Sequence, residues 1–376
     1  MTGGYDMTAS SLLDPDQIVF PKLGLDFRIN DTAFTVFGFD IKWYSLLIVF
    51  GLILAMIYGF SQMKKYGIDP DRAIDVILAG ILGGLVGARI YYVVMSWDNY
   101  SGDWKAMFNT RNGGLAIYGG IIGAVLVGGL VAKLRKVKLL PLLDIAGVGF
   151  LIGQGVGRWG NFTNQEAFGC NTDSIFGMNG GTIQRFIINN YDDLTTGSGV
   201  VMDPSKPVHP CFLYESVWCI LGFILLAIFA AKFRKYDGQI FLMYIGWYGL
   251  GRFFIYLMGY GLGRFFIEGL RTDSLMLGNI RVSQILAAVC VVASVILLFI
   301  FGSKVRRMGD DYQLYCNTEE SKNLLREAAA RSGNKSVPDK TEHEIADGAE
   351  SITDEEQGID FIEENKINET IESEDE

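Results

Sequence analysis

Between residues 43 and 301 the chain alternates long apolar runs with short polar connections. An apolar helix of about 20 residues crosses a bilayer core of roughly 30 Å. Seven segments approach that length: Trp43–Gln62, Ala73–Met95, Leu115–Lys133, Leu140–Arg158, Pro210–Ala231, Gln239–Glu268 and Val282–Phe301. The fourth is short and rich in glycine and reads as ending at Arg158. The pattern predicts an all-α polytopic membrane protein with seven transmembrane helices. The long connection at about 161–208 carries Gly, Asn, Asp and Thr with a few β-branched runs such as Thr182–Ile188, and reads as a small extracytoplasmic cap.

Composition agrees with this reading. Half of the 376 residues are hydrophobic, and the mean hydropathy of +0.26 lies outside the range of a soluble domain. The formal net charge of -10 comes from the C-terminal end, where Glu342–Glu376 holds fifteen acidic side chains against one lysine; without that stretch the chain is at +4. A block of like charge with few large apolar residues predicts a disordered, solvated tail. The expected division is a membrane domain over 1–302 and an acidic tail over 303–376. Nothing in the charge pattern points to nucleic acid.

Orientation follows from the short connections. Lys64, Lys65 and Arg72, then Lys133, Arg135, Lys136 and Lys138, then Lys232, Arg234 and Lys235, then Lys304, Arg306 and Arg307 all fall on one side. That side is expected in the cytoplasm, with the N-terminus and cap outside and the tail inside. No cleaved signal peptide is expected, because Asp6, Asp14 and Asp16 precede the first apolar run. Five cysteines without a CxxC pair predict neither a disulfide framework nor a zinc site. Gly80 with Gly84, Gly83 with Gly87, and Gly119 with Gly123 stand four apart, the spacing at which helix backbones approach closely in lipid. Gly153, Gly155 and Gly157 end an apolar helix with no preceding strand, so they are not a dinucleotide fingerprint.

Candidate chemistry sits where charge meets the apolar runs. Asp75, Arg89, Asp144, Arg158, Asn161, Glu166, His209, Glu215, Arg252, Arg264 and Glu268 lie within or at the edge of the segments. Groups of this kind face one another or an interior cavity, because lipid exposure is too costly. A guanidinium there finds a matching anion in a phospholipid phosphate, onto which it can fork two bonds, or in a neighbouring carboxylate. His209 is the one histidine outside the acidic stretch; Tyr118 and Tyr44 carry the other candidate polar heads. One octapeptide occurs twice, Tyr248–Ile255 and Tyr260–Ile267, twelve residues apart. Twelve residues of helix add about 18 Å and a third of a turn, so Arg252 and Arg264 cannot occupy equivalent places.

The run Gly157-Arg-Trp-Gly-Asn-Phe-Thr-Asn-Gln-Glu-Ala-Phe-Gly169 resembles the signature of the prolipoprotein diacylglyceryl transferase family. Supporting matches are Ile41–Tyr44, Gly113–Gly120, His209–Glu215 and Gly261–Asp273, in the family's order over residues 20–302. The resemblance implies transfer of the diacylglyceryl group of phosphatidylglycerol to the thiol of a lipobox cysteine in a prolipoprotein signal peptide, with release of glycerol phosphate, in the bacterial cell membrane. It implies no metal and no cofactor. Residue by residue it points to Arg158 and Asn161 as the essential pair, with Glu166 and Gly169 completing the motif and Tyr44 and Glu215 at other functional positions. Arg158 and one arginine of the repeat are expected to bind phosphate, and Tyr118, His209 or a carboxylate such as Glu268 to take the thiol proton. Many members carry histidine where this chain has Tyr118. The family has one copy of the repeated unit; Arg264 is the expected functional copy, because only the second is followed by a glutamate, Glu268. A lipid transporter or scramblase is the rival reading, and would leave its lipid unchanged.

Overall fold

The computed structural model describes residues 12–102, 104–109, 113–191, 201–260, 276–277 and 280–331. The chain is a mostly helical, polytopic membrane protein. Among the described residues six helices are long and apolar enough to cross a membrane: α1 (Trp43–Met63), α2 (Pro70–Met95), α4 (Ile117–Leu134), α5 (Leu139–Thr163), α7 (Cys211–Lys232) and α9 (Val282–Met308). Between α7 and α9 lies α8 (Gln239–Tyr260). Its expected continuation to Glu268 falls outside the described residues. The short helices are α3 (Trp104–Phe108), α6 (Gly181–Asn189) and α10 (Glu319–Arg331).

The helices begin and end for local reasons. Asp69 caps α2, its Oδ1 accepting from the Asp71 N–H at 3.1 Å, with Pro70 in the first helical position, where its missing N–H costs nothing. The N-terminus of α8 is capped from another helix: Asp144 of α5, fully buried, accepts from the N–H groups of Gly238 and Phe241, both at 2.9 Å. A carboxylate beneath two orphan donors of a helix N-terminus is well placed electrostatically. This contact fixes α8 from its first turn onward.

α2 packs along α4, and α1, α5, α7, α8 and α9 form the remaining contacts of the bundle. The glycine spacing works as expected between α2 and α4. A Cβ on Gly83 would run into Val127 and the Gly123 carbonyl, and one on Gly87 into the Gly119 carbonyl. A large apolar set faces outward, including Leu82, Leu85, Val86, Ile90 and Val94 on α2, as lipid contact demands.

Strands modify the all-α expectation. β1 (Gln17–Phe20) pairs antiparallel with β2 (Leu25–Arg28) and with β5 (Asn179–Gly180). A separate hairpin, β3 (Thr32–Val36) and β4 (Phe39–Lys42), leads into α1. A further pair, β6 (Met276–Leu277) and β7 (Ile280–Arg281), precedes α9. The β-branched run at Thr182–Ile188 is helical, inside α6, with Ile183 and Ile187 buried one turn apart. These pieces share one core in which Ile18, Phe20, Met178, Ile183, Ile187 and Val208 pack on Phe162 of α5 and Phe212 of α7. The cap-like segment at 161–208 is therefore joined by the N-terminal strands.

At the other end of the bundle the basic residues gather. Arg135 pairs with Asp75, Arg72 with Asp69 at 3.3 Å, and Lys138 with Glu320 at 3.1 Å. Residue 302, the expected end of the membrane domain, lies inside a helix. α9 runs to Met308, and the chain continues through two short 3-10 turns, Gly309–Asp311 and Tyr315–Asn317, into α10. Ser321 is fully buried and donates to the Gly67 carbonyl at 2.9 Å. The Tyr315 N–H donates to Asp237 Oδ2 at 2.8 Å, and Arg234 lies over the Tyr66 ring at 3.7 Å. Residues 303–331 form ordered elements because they carry Tyr312, Tyr315 and Leu324 among the charges. The acidic stretch from Glu342 lies outside the described residues.

Candidate functional site

The signature does not begin where the helix stops. α5 continues through Arg158, Asn161 and Thr163, five residues past the expected end. It closes with the Glu166 N–H bonded to the Asn161 carbonyl at 2.9 Å and the Gln165 N–H to the Phe162 carbonyl at 3.0 Å. That is a Schellman closure, and Gln165 takes the left-handed conformation (φ +52°) in which glycine is usual. Its side chain explains why a non-glycine is held there. Gln165 is buried, its Nε2 donates to the Pro15 carbonyl at 2.6 Å, and its Oε1 accepts from the Thr182 N–H at 3.0 Å. The motif is thus stitched to the N-terminal segment and to α6.

Continuing the helix places Asn161 one turn after Arg158 on the same face. Arg158 Nη1 donates to Asn161 Oδ1 at 3.3 Å, and Asn161 Nδ2 donates to Glu166 Oε1 at 2.8 Å. The other edge of Arg158 meets α7: Nη2 stands 2.5 Å from Glu215 Oε2. The second oxygen of the same carboxylate, Oε1, lies 3.5 Å from Nη1 of Arg252 on α8. One buried carboxylate therefore joins two arginines from different helices. The arginine side chains are 24% and 27% exposed and that of Glu215 only 9%, so the cations keep reachable edges while the anion lies beneath them.

Packing fixes this constellation. Trp159 Nε1 donates to Ser216 Oγ at 3.2 Å, and Ser216, buried, donates to the Gly155 carbonyl at 2.9 Å. Trp218 and Trp247 stack at 4.3 Å, each indole N–H donating to the other's carbonyl at 3.1 Å. A Cβ on Gly251 would strike Trp218, and one on Gly222 would strike Trp247. Glu215 precedes Trp218 by one turn, and Arg252 follows Gly251 directly, so the stacked pair sets the register in which they meet.

Tyr44, in the first turn of α1, lies against Gly160. A Cβ there would come within 2.6 Å of its ring. Gly160→Ala is expected to push Tyr44 aside and lower turnover about ten-fold or more with little change in folding; transfer assays beside thermal unfolding in detergent check it. Gly169 bonds through its N–H to the His209 carbonyl at 2.9 Å. His209 Nδ1 stands 3.2 Å from the Tyr214 hydroxyl, and burial lowers its pKa below the usual 6.5, so the ring is neutral at pH 7. Tyr118 sits half-buried in the first turn of α4, whose packing partner is α2.

The structure thus joins Arg158, Asn161, Glu166 and Glu215, sets Tyr44 against the same helix end, and links Gly169 to His209. Arg264 and Glu268 lie outside the described residues. Among the described residues Arg252, the copy that sequence reasoning ranked second, is bonded to Glu215. Other polar groups serve structure. Arg89 donates to the carbonyls of Ala106, Met107, Asn109, Gly113 and Gly114 between the rings of Tyr92 and Tyr100, and Asp144 caps α8. Sequence reasoning quoted Gln165 within the signature without giving it a role, and missed Ser216 and the tryptophan pair; a hydroxyl inside an apolar helical run was the available signal for Ser216.

Comparison with known proteins identifies the family. The profile of the family described as "Prolipoprotein diacylglyceryl transferase" matches residues 31–255 and again 253–300. The break falls on the repeated octapeptide. A protein of Clostridioides difficile is 39% identical over 268 residues, covering 71% of this chain and 94% of its own. One of Enterococcus faecalis is 38% identical over 301 residues, covering 79% and 98%, and one of Bacillus cereus 38% over 290 residues, covering 77% and 96%. All three carry the name phosphatidylglycerol–prolipoprotein diacylglyceryl transferase.

Proposed function

This chain belongs to the prolipoprotein diacylglyceryl transferase family, and on that premise we propose that it transfers the diacylglyceryl group of phosphatidylglycerol to the lipobox cysteine thiol of a prolipoprotein. A thioether forms and glycerol phosphate leaves, the first step of bacterial lipoprotein maturation. The observation that carries the reading is the arginine pair of Arg158, near the end of α5, and Arg252, in the body of α8, joined by Glu215 near the start of α7. Two forks at that depth suit a phosphodiester whose acyl chains remain in lipid.

In the reaction the sulfur attacks a glycerol carbon while the phosphate departs with the electron pair of the broken C–O bond. The arginines hold the charge that gathers on the leaving phosphate. Asn161 and Tyr44 orient the headgroup, with Glu166 and Gly169 fixing the motif that carries Asn161. Tyr118, His209 or a carboxylate such as Glu268 takes the thiol proton; a neutral His209 is in the correct state to do so. Arg264 is the competing candidate for the second cation.

The topology proposed for this activity has α8 as the seventh span. The N-terminus and the module around 161–208 face outward, and the basic end and acidic tail face the cytoplasm. The signal peptide then brings its cysteine to Arg158 from the outer leaflet. Incubating the purified chain with phosphatidylglycerol vesicles and a lipobox peptide is expected to add a diacylglyceryl mass to the peptide cysteine. An unmodified peptide, with lipid moved between leaflets, would reject the transferase reading in favour of a transporter.

A further inference from the structure

We propose that Glu215 sets the charge of the phosphate site, so that the site holds a singly charged phosphodiester and expels the doubly charged phosphomonoester that the reaction makes. The inference rests on the phosphatidylglycerol reading above and assigns to Glu215 the selection between the two charge states.

Glu215 already stands where an anion is wanted. Its two oxygens each engage a different guanidinium, at 2.5 Å to Arg158 and 3.5 Å to Arg252, as the two non-bridging oxygens of a phosphodiester would. It is the least exposed of the three, so a phosphate reaches the outer edges of the arginines with Glu215 still beneath them. Among the described residues it meets these two arginines and lies near Cys219, one turn along α7; Glu166 stands beyond Asn161, accepting from its Nδ2 at 2.8 Å. Glu166 is exposed to solvent and screened there, so the buried part of the centre holds two cations and one anion, a formal +1 that one phosphodiester charge neutralises.

Reaction changes that balance. The thiol gives up its proton, the S–C bond forms, the C–O bond to phosphate breaks, and the phosphate oxygen keeps the electron pair. The product is a phosphomonoester, doubly charged above its second pKa of about 6. With Glu215 ionised the occupied centre then carries excess negative charge in a poorly solvated place, where charge imbalance is costly. Release of glycerol phosphate follows, and phosphomonoesters such as phosphatidic acid or free phosphate compete poorly. A neutral residue at 215 would leave two cations matched to a dianion, and product would be retained.

The test compares two soluble probes as competitors of phosphatidylglycerol and as directly bound ligands: glycerol 1-phosphate, a monoester, and glycerophosphoglycerol, a diester. The series runs from pH 5.5 to 8.5, and the diester, which has no proton to lose there, reports any titration of the protein itself. For the unaltered chain, monoester binding is expected to weaken relative to the diester as pH rises through about 6. Glu215→Gln, which keeps shape and one acceptor oxygen, is expected to tighten the monoester roughly ten-fold or more at pH 8 and to reverse its pH slope, with the diester changed far less. Glu215→Asp keeps the charge and is expected to keep the selectivity. The inference is overturned if Gln alters both probes by one factor, if it alters neither, or if Asp loses selectivity as Gln does. Should neither probe compete on the unaltered chain, the phosphate-site reading itself fails instead.

Discussion

Arg158→Ala is expected to lower diacylglyceryl transfer by roughly 100- to 1,000-fold, the usual loss when one donor to a developing anion is removed. The prediction is large because Arg158 serves three partners at once. It meets Glu215 at 2.5 Å and Asn161 at 3.3 Å, and retains an exposed edge for the lipid phosphate. Its removal leaves a buried Glu215 with one distant cation and lets Asn161 turn away. Arg158→Lys separates charge from geometry: an ammonium supplies the charge but cannot reach Glu215, Asn161 and phosphate in one plane, so it is expected to recover only a small part. Mass analysis of the lipobox peptide, with thermal unfolding of each variant, decides the matter. Transfer within a few-fold of normal in the alanine variant would remove Arg158 from the mechanism.

Much of this architecture is readable from the chain because lipid enforces it. Apolar runs of membrane length announce α1, α2, α4, α5, α7 and α9, and the glycines at 83, 87, 119 and 123 announce the α2–α4 contact. The gathering of Arg158, Asn161, Glu166 and Glu215 is legible too, since groups of opposite charge at one depth must meet. What stays hidden depends on partners distant in sequence. β1 and β2 have four residues each, and β1 pairs on its other side with β5, some 160 residues away. The apolar run of α5 ends at Arg158, but the helix closes only at Gln165, which is held by bonds to Pro15 and Thr182. Residues 309–325 look polar until Ser321 and Tyr315 are seen buried against Gly67 and Asp237. In the same way, counting from Glu268 favours Arg264, whereas the contacts that bring Arg252 to Glu215 are tertiary and are not visible in a count along the chain.

Those contacts give the other large effect. Arg252→Ala is expected to abolish transfer, by about 100-fold or more, and Arg264→Ala to leave most of it. The basis is the register of α8, which is set from its N-terminal end. Asp144 holds Gly238 and Phe241, the Trp218–Trp247 pair locks the middle of the helix against α7, and Arg252 follows at Glu215. A second copy twelve residues later begins about 18 Å farther along a helix. The family profile, broken between residues 253 and 255, likewise accommodates one copy in each of its two matches. Arg252→Lys, which cannot fork onto both Glu215 and phosphate, is expected to fail nearly as badly as alanine. Complementation of a strain lacking the transferase, with membrane levels of each variant measured, checks all three. Loss of function on changing Arg264 with Arg252→Ala still active would return the site to the second copy, and would require Glu215 to exchange its α8 partner during the reaction.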